Sequence, residues 1–105
     1  MESLKLRIKR RIEIYIELDI DGVRKFIMNL LLELKTVTVD MLYTQLNKRF
    51  KVSYSAVAAT LGYIHSKLGI LHVNKESYKT PTLYSIKEEY IDVIKSALDK
   101  KATVS

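Results

Sequence analysis

Apolar and polar residues alternate from Leu4 to Ile20 in a way that fits two periods at once. Leu4, Leu6, Ile8, Ile12, Ile14, Ile16, Leu18 and Ile20 fit the repeat of a strand, whereas Leu4, Ile8, Ile12, Tyr15 and Ile16 fit helical spacing. Seventeen residues are long for one strand and no turn residue interrupts them, so the stretch predicts a helix. Asp21-Gly22 then breaks the run, with Asp21 placed to cap the next helix. Val23, Phe26, Ile27, Leu30, Leu31 and Leu34 recur at i, i+3 and i+4, which predicts a second helix buried along one side. Thr36-Val37-Thr38 is β-branched and predicts a brief strand, after which Thr38 caps a helix carrying Val39, Leu42, Leu46 and Phe50, with Lys48 and Arg49 in its last turn.

Lys51-Val52 makes a turn, and Ser53 caps a helix that runs to Leu68 with Val57, Leu61, Ile64 and Leu68 as its core stripe. Gly69 supplies a left-handed stop. Residues 70–73 and 82–86 read as two strands around a long polar connection, and so as a hairpin with an extended tip. From Lys87 to about Lys101 the positions Tyr90, Ile91, Ile94, Ala97 and Leu98 predict a final helix, and Ala102 to Ser105 reads as a disordered end. Two helices joined by a short turn and followed by a hairpin are the arrangement of a helix-turn-helix with a wing. The expected fold is mainly α with a small β-hairpin, an α+β class, in one domain spanning residues 1–105. Its core covers about 22–86, and the helices at about 3–19 and 87–101 flank it.

Composition narrows the function classes. The chain has 105 residues, no cysteine and a net charge of +6. Without cysteine there is no disulfide framework, thiolate nucleophile or iron–sulfur site. No stretch reaches the roughly 18 to 20 apolar residues of a membrane span, and the start lacks a signal peptide's pattern, so the expectation is a soluble, cytoplasmic protein. The only histidines, His65 and His72, form no familiar ligand spacing, and no phosphate-binding Gly-rich loop, nucleophile elbow or motif-placed carboxylate pair is present. The expectation is therefore no enzyme, no catalytic residues, no metal and no cofactor. The charge is uneven: residues 51–86 carry +3, and all five bases of the first helix lie between Lys5 and Arg11, ahead of Glu13, Glu17 and Asp19. That helix is bipolar along its axis. A basic excess in such positions points to a polyanion, against the plainer alternative of a solvated charged face.

The run from Ser53 to Leu71, and above all Lys67-Leu68-Gly69-Ile70-Leu71, resembles the winged-helix superfamily at the junction of recognition helix and wing. From about Ile12 to Leu98 the chain also resembles an uncharacterised archaeal, mainly methanogen, family of small winged-helix proteins. Leu61-Gly62-Tyr63-Ile64-His65-Ser66, Lys75-Glu76-Ser77-Tyr78-Lys79-Thr80-Pro81 and Tyr84-Ser85-Ile86-Lys87-Glu88-Glu89-Tyr90 carry that likeness. The resemblance implies a fold and a DNA-binding role, and supplies no ligand, operator or assigned residue.

With the core stripe turned inward, the helix from Ser53 to Leu68 presents Ser55, Ala59, Gly62 and Ser66, flanked by Ala56 and Tyr63. It lacks Arg, Asn and Gln, the side chains that read guanine or adenine bidentately. The candidate DNA-binding residues are accordingly Ser53, Tyr54, Ser55, Ala56, Ala59 and Tyr63 on the helix, Lys48, Arg49 and Lys51 at the turn, and Lys75, Tyr78 and Lys79 on the wing. Such a set implies strong backbone contact and weak base readout. The same small-residue face also suits a protein partner, which makes an interaction adaptor the alternative, and Gly62 reads first as a site of tight packing. The flanking helices carry more apolar surface than a small core hides, so Leu4, Ile8, Ile12, Tyr15, Tyr90, Ile94 and Leu98 are candidate homodimer contacts, with packing inside one chain as the other outcome. The expected partners are double-stranded DNA and a second copy, with no membrane; an effector is not readable.

Overall fold

The computed structural model describes residues 3–103, with side chains described as far as Asp99. Helix α1 spans Leu4–Glu17, α2 Val23–Leu34, β1 Thr36–Val37, α3 Val39–Leu46, α4 Tyr54–Tyr63, β2 Leu71–Asn74, β3 Leu83–Ile86 and α5 Ile91–Thr103. The chain is thus mainly helical with one small antiparallel sheet, in the order β1-β3-β2. This order of elements is compatible with a winged helix.

Each element starts where its chemistry allows. Ser3, Thr38 and Ser53 sit in extended conformation ahead of α1, α3 and α4, and their hydroxyl oxygens accept from the amides of Leu6, Met41 and Ala56 at 3.1–3.2 Å. Helix α2 is different. Its N-cap is Gly22 at φ 88°, with no side-chain cap of its own. Asp19 does the capping: Oδ1 accepts from Gly22 and Arg24, and Oδ2 from Lys25, at 3.1–3.2 Å. Asp21, expected in that role, accepts only from Val23 in an exposed position. The positive φ of Gly22 swings the chain so that the carboxylate of Asp19, three residues earlier, reaches the first turn.

Two other boundaries depart from the sequence pattern. Helix α3 ends at Leu46, and residues 47–50 close by Arg49 N–H to Leu46 O at 3.0 Å and Phe50 N–H to the same oxygen at 2.8 Å. Lys48 and Arg49 therefore occupy a turn and not the last turn of a helix. There Phe50 meets Phe26 edge to face at 5.5 Å, and the Arg49 guanidinium lies 5.0 Å from the Phe26 ring, an anchoring that apolar periodicity alone does not reveal. Helix α4 passes at Ile64 into a π-turn, Ile64–Leu68, closed by Gly69 N–H to Ile64 O at 3.1 Å with Gly69 left-handed at φ 71°. Ser66 Oγ donates to Gly62 O at 2.9 Å. A Cβ on Gly62 would meet nothing within 4 Å, so Gly62 is not a tight-packing site. The last helix opens with a 3-10 turn, Glu88–Tyr90, and runs through Ala102 and Thr103, the first half of the expected disordered end. Val104 and Ser105 lie outside the described residues.

In the sheet, Leu71 pairs with Ile86 and Asn74 with Leu83, while Thr36 pairs with Ser85, where the two hydroxyls share a 3.0 Å hydrogen bond. Lys87 N–H to Ile70 O and Ile86 N–H to Lys35 O tie the hairpin to both flanking segments. The core joins α4 (Val57, Leu61, with Ile64 and Leu68 beyond) to α2, α3 and the sheet, and α1 and α5 pack on one another over it. Ile8, Ile12, Tyr15, Tyr90, Ile94 and Leu98 are all buried in this single chain. They pack into the core of the one chain, the other of the two outcomes expected for them. Only Leu4 of that set is exposed, at 58%. Among the described residues no helix is long and apolar enough to cross a membrane.

Asp19→Ala removes the acceptor for three amides and is expected to lower unfolding free energy by about 1 to 2 kcal/mol in urea titration. Asp21→Ala is expected to change it by less than about 0.5 kcal/mol.

Candidate nucleic-acid interface

Helix α4 is fixed in rotation by its buried stripe, which leaves it two differently furnished sides. On one side its first residue, Tyr54, lines a recess of about 230 Å³ together with Thr38, Asp40, Lys75, Thr82 and Tyr84. This is where the start of α4, the start of α3 and the neck of the wing converge. Tyr54 stands edge to face with Tyr43 at 5.5 Å. Its phenol is pushed above the ordinary value of 10.0, chiefly by the nearby Asp40 carboxylate, with desolvation adding to the effect. Tyr54 remains about half exposed, at 48%.

The wing is built from its own hydrogen bonds. Ser77 N–H donates to Thr80 Oγ1 at 3.1 Å, Lys79 N–H to Ser77 Oγ at 3.2 Å, and Thr80 N–H to Ser77 O at 3.2 Å. Lys75 Nζ donates to Thr80 O at 2.9 Å, which closes the neck of the loop. Its charge therefore sits at the wing's base, and Tyr78, 85% exposed, and Lys79 project beyond it.

On the other side of α4, Ala56, Ala59, Thr60 and Tyr63 wall a cleft of about 470 Å³ that faces Leu18, Ile20, Val23 and Val52. Tyr63 stacks on Tyr15 at 5.8 Å, and the Arg24 guanidinium lies over the Tyr15 ring at 4.5 Å while donating to Tyr15 O at 3.0 Å. The cleft is mostly apolar, and Asp19, Asp21 and Arg24 also line it.

The structure therefore divides the candidate DNA-binding residues. Tyr54 and Lys75 come together in the recess, and Tyr78 and Lys79 extend from the same wing. Ala56, Ala59 and Tyr63 belong to the cleft. Ser55 is exposed between them, and Ser53 is engaged in capping through its oxygen. At the turn Lys48, Arg49 and Lys51 are all exposed, and the Arg49 guanidinium also lies over the rings of Phe26 and Phe50. Asp40 is not legible as a site residue in the sequence, since it belongs to no charge run or motif, and Tyr84 stands in a stretch that carries the family likeness without being marked there as a site residue. Ile20 and Leu18 carry a signal: apolar residues directly ahead of an Asp-Gly turn have no helical face to bury them.

Burial pushes the Tyr15 phenol above 10.0, with Arg24 opposing and Asp19 and Tyr63 reinforcing the rise. The folded state thus holds this proton more tightly than the unfolded chain. Its contribution to stability is complete below about pH 10 and is lost as pH rises through the higher folded value. Tyr15→Phe is expected to flatten the alkaline limb of a plot of melting temperature against pH, between about pH 9 and 11, relative to the parent.

Residues 12–94 match the model of a family described as a protein of unknown function, DUF2551. No curated protein and no solved structure matches the chain. With more than three quarters of its length matched, the chain belongs to the DUF2551 family.

Proposed function

We propose that this chain is a winged-helix protein that binds double-stranded DNA through the sugar-phosphate backbone, with little base readout, and acts as a dimeric transcriptional regulator. The observation that carries the reading is the convergence of Tyr54 at the start of α4 with Lys75 at the wing's neck. In a winged helix these two elements meet the same stretch of duplex, the helix in the major groove and the wing on phosphate or the minor groove. The sheet order β1-β3-β2 and the short α3-to-α4 turn support the same fold. Lys75 and Lys79 supply charge at the wing and the exposed Lys48, Arg49 and Lys51 at the turn before α4, while the exposed residues of α4 itself, Tyr54, Ser55, Ala56, Ala59 and Tyr63, carry none. Affinity then comes from phosphate neutralisation, which is independent of sequence.

Fluorescence anisotropy with labelled duplexes tests this. Replacing Lys75 and Lys79 together by Ala is expected to weaken binding to all duplexes alike and to reduce the slope of log K against log salt by about 0.9 for each lost phosphate contact, roughly 1.8 in all. Absence of binding at low salt, or an unchanged slope, contradicts the reading.

A second reading, a protein-interaction adaptor, is favoured by the cleft beside α4, because an apolar groove floored by alanines admits a partner's side chains closely. Ala59→Arg fills that groove. It is expected to abolish recovery of a stoichiometric protein partner in pull-down if the cleft docks one, while leaving duplex binding at low salt intact.

A further inference from the structure

Tyr78 is the most exposed aromatic side chain among the described residues, at 85% against 48% for Tyr54 and Tyr63. It also stands outside the ring pairs and cation–π contacts that engage most of the other aromatic residues. A ring left in water forgoes one of the largest burial gains a side chain offers.

The loop holds it in that position. Tyr78 and Lys79 are the two central residues of a turn from Ser77 to Thr80, closed by Thr80 N–H to Ser77 O at 3.2 Å. Ser77 N–H donates to Thr80 Oγ1, that hydroxyl donates back to Ser77 O at 2.9 Å, and Lys79 N–H donates to Ser77 Oγ. Lys75 Nζ reaches across to Thr80 O, and Pro81 stiffens the chain on its way out of the turn. Presenting the ring to a partner therefore costs little further ordering.

The surroundings decide what such a ring suits. From Asn74 to Thr80 every residue but Tyr78 is polar, with Lys75 and Lys79 opposed only by Glu76. An aromatic anchor for a protein partner sits among apolar neighbours that lose water with it, and the tip supplies none. A nucleobase needs none. It offers a π face to the ring, while the phosphates on either side of it match the charge of Lys75 and Lys79. Within an intact duplex each such face is covered by the neighbouring base, so a ring can stack only where a base is unpaired or unstacked.

From the isolation of this ring on a hydrogen-bonded, basic loop tip we propose that Tyr78 stacks on an unpaired base, so that the wing favours DNA carrying a bulge over an intact duplex. The proposal rests on the reading of the wing as a DNA-binding element and names the form of DNA it prefers. That preference is for structure and not for sequence, because every base has a π face.

Fluorescence anisotropy at low salt, with a labelled duplex and the same duplex carrying a short central bulge, tests it. The parent is expected to bind the bulged DNA at least about 5-fold more tightly, the lower end of what one base–aromatic stack contributes. Tyr78→Ala is expected to erase that difference while leaving affinity for the intact duplex, which comes from phosphate neutralisation, unchanged. Tyr78→Phe is expected to keep it. Because the chain has no tryptophan, Tyr78→Trp supplies a single reporter, whose emission is expected to be quenched more by bulged than by intact DNA. All three variants are expected to melt with the parent in circular dichroism, since so exposed a ring supports little of the fold. A parent without the preference, a preference that survives Tyr78→Ala, or unquenched emission from the Tyr78→Trp chain each overturns the proposal and leaves duplex binding standing. If neither DNA binds at low salt, the functional reading falls and this inference with it.

Discussion

Burial of one stripe on α4, Val57 and Leu61 continued by Ile64 and Leu68 in the π-turn, governs what the rest of this molecule can do. These side chains sit at the junction of α2, α3 and the sheet, and each makes the close-packed contacts that resist rotation of the helix. Once that stripe is inward, Tyr54 must fall on the wing side and Ala56, Ala59 and Tyr63 on the side of α1. Neither surface can be exchanged for the other without emptying the core. Truncating a fully buried residue such as Leu61 costs on the order of 2 to 5 kcal/mol, a large share of the stability of a domain this size.

The two sides differ in kind. The wing side combines an exposed phenol, short hydrogen-bonded loop geometry and lysines, which suits a hydrated, charged partner surface. The α1 side is apolar and bordered by the Arg24–Tyr15–Tyr63 stack, which suits desolvated contact. A net charge of +6 is consistent with either until its positions are known. In position, ten of the eighteen bases lie on the wing, the α3-to-α4 turn and the first part of α1, and α4 itself carries none.

Periodicity makes the elements legible because each helix here buries one face, and one face is what an i, i+3, i+4 pattern records. It cannot say which element covers that face. Ile8 and Ile12 on α1 and Ile94 and Leu98 on α5 are equally consistent with covering each other and with meeting a second chain, and only the packing decides. The cap of α2 departs from expectation for a related reason: nearness in sequence favours Asp21, whereas the positive φ of Gly22 gives the carboxylate of Asp19 the better reach. Gly62 shows the same limit from the other direction, since a helical glycine signals close approach only if something approaches, and nothing does. Of the candidate interface, the wing lysines and Tyr54 are readable as residue types in a motif. Their convergence with Asp40 is not, because it depends on how α3 and the hairpin neck lie beside α4.

The central claim is that the wing side of α4 meets duplex DNA while the α1 side does not. Amide chemical shifts of the isotopically labelled chain, followed as a duplex is added at low salt, test it most directly. The account predicts shifts at Tyr54, Ser55 and Ser77 to Lys79, with Ile14 to Ile20 and Ala59 unmoved. Absence of any shift at saturating duplex, or shifts confined to the residues of the cleft, contradicts it.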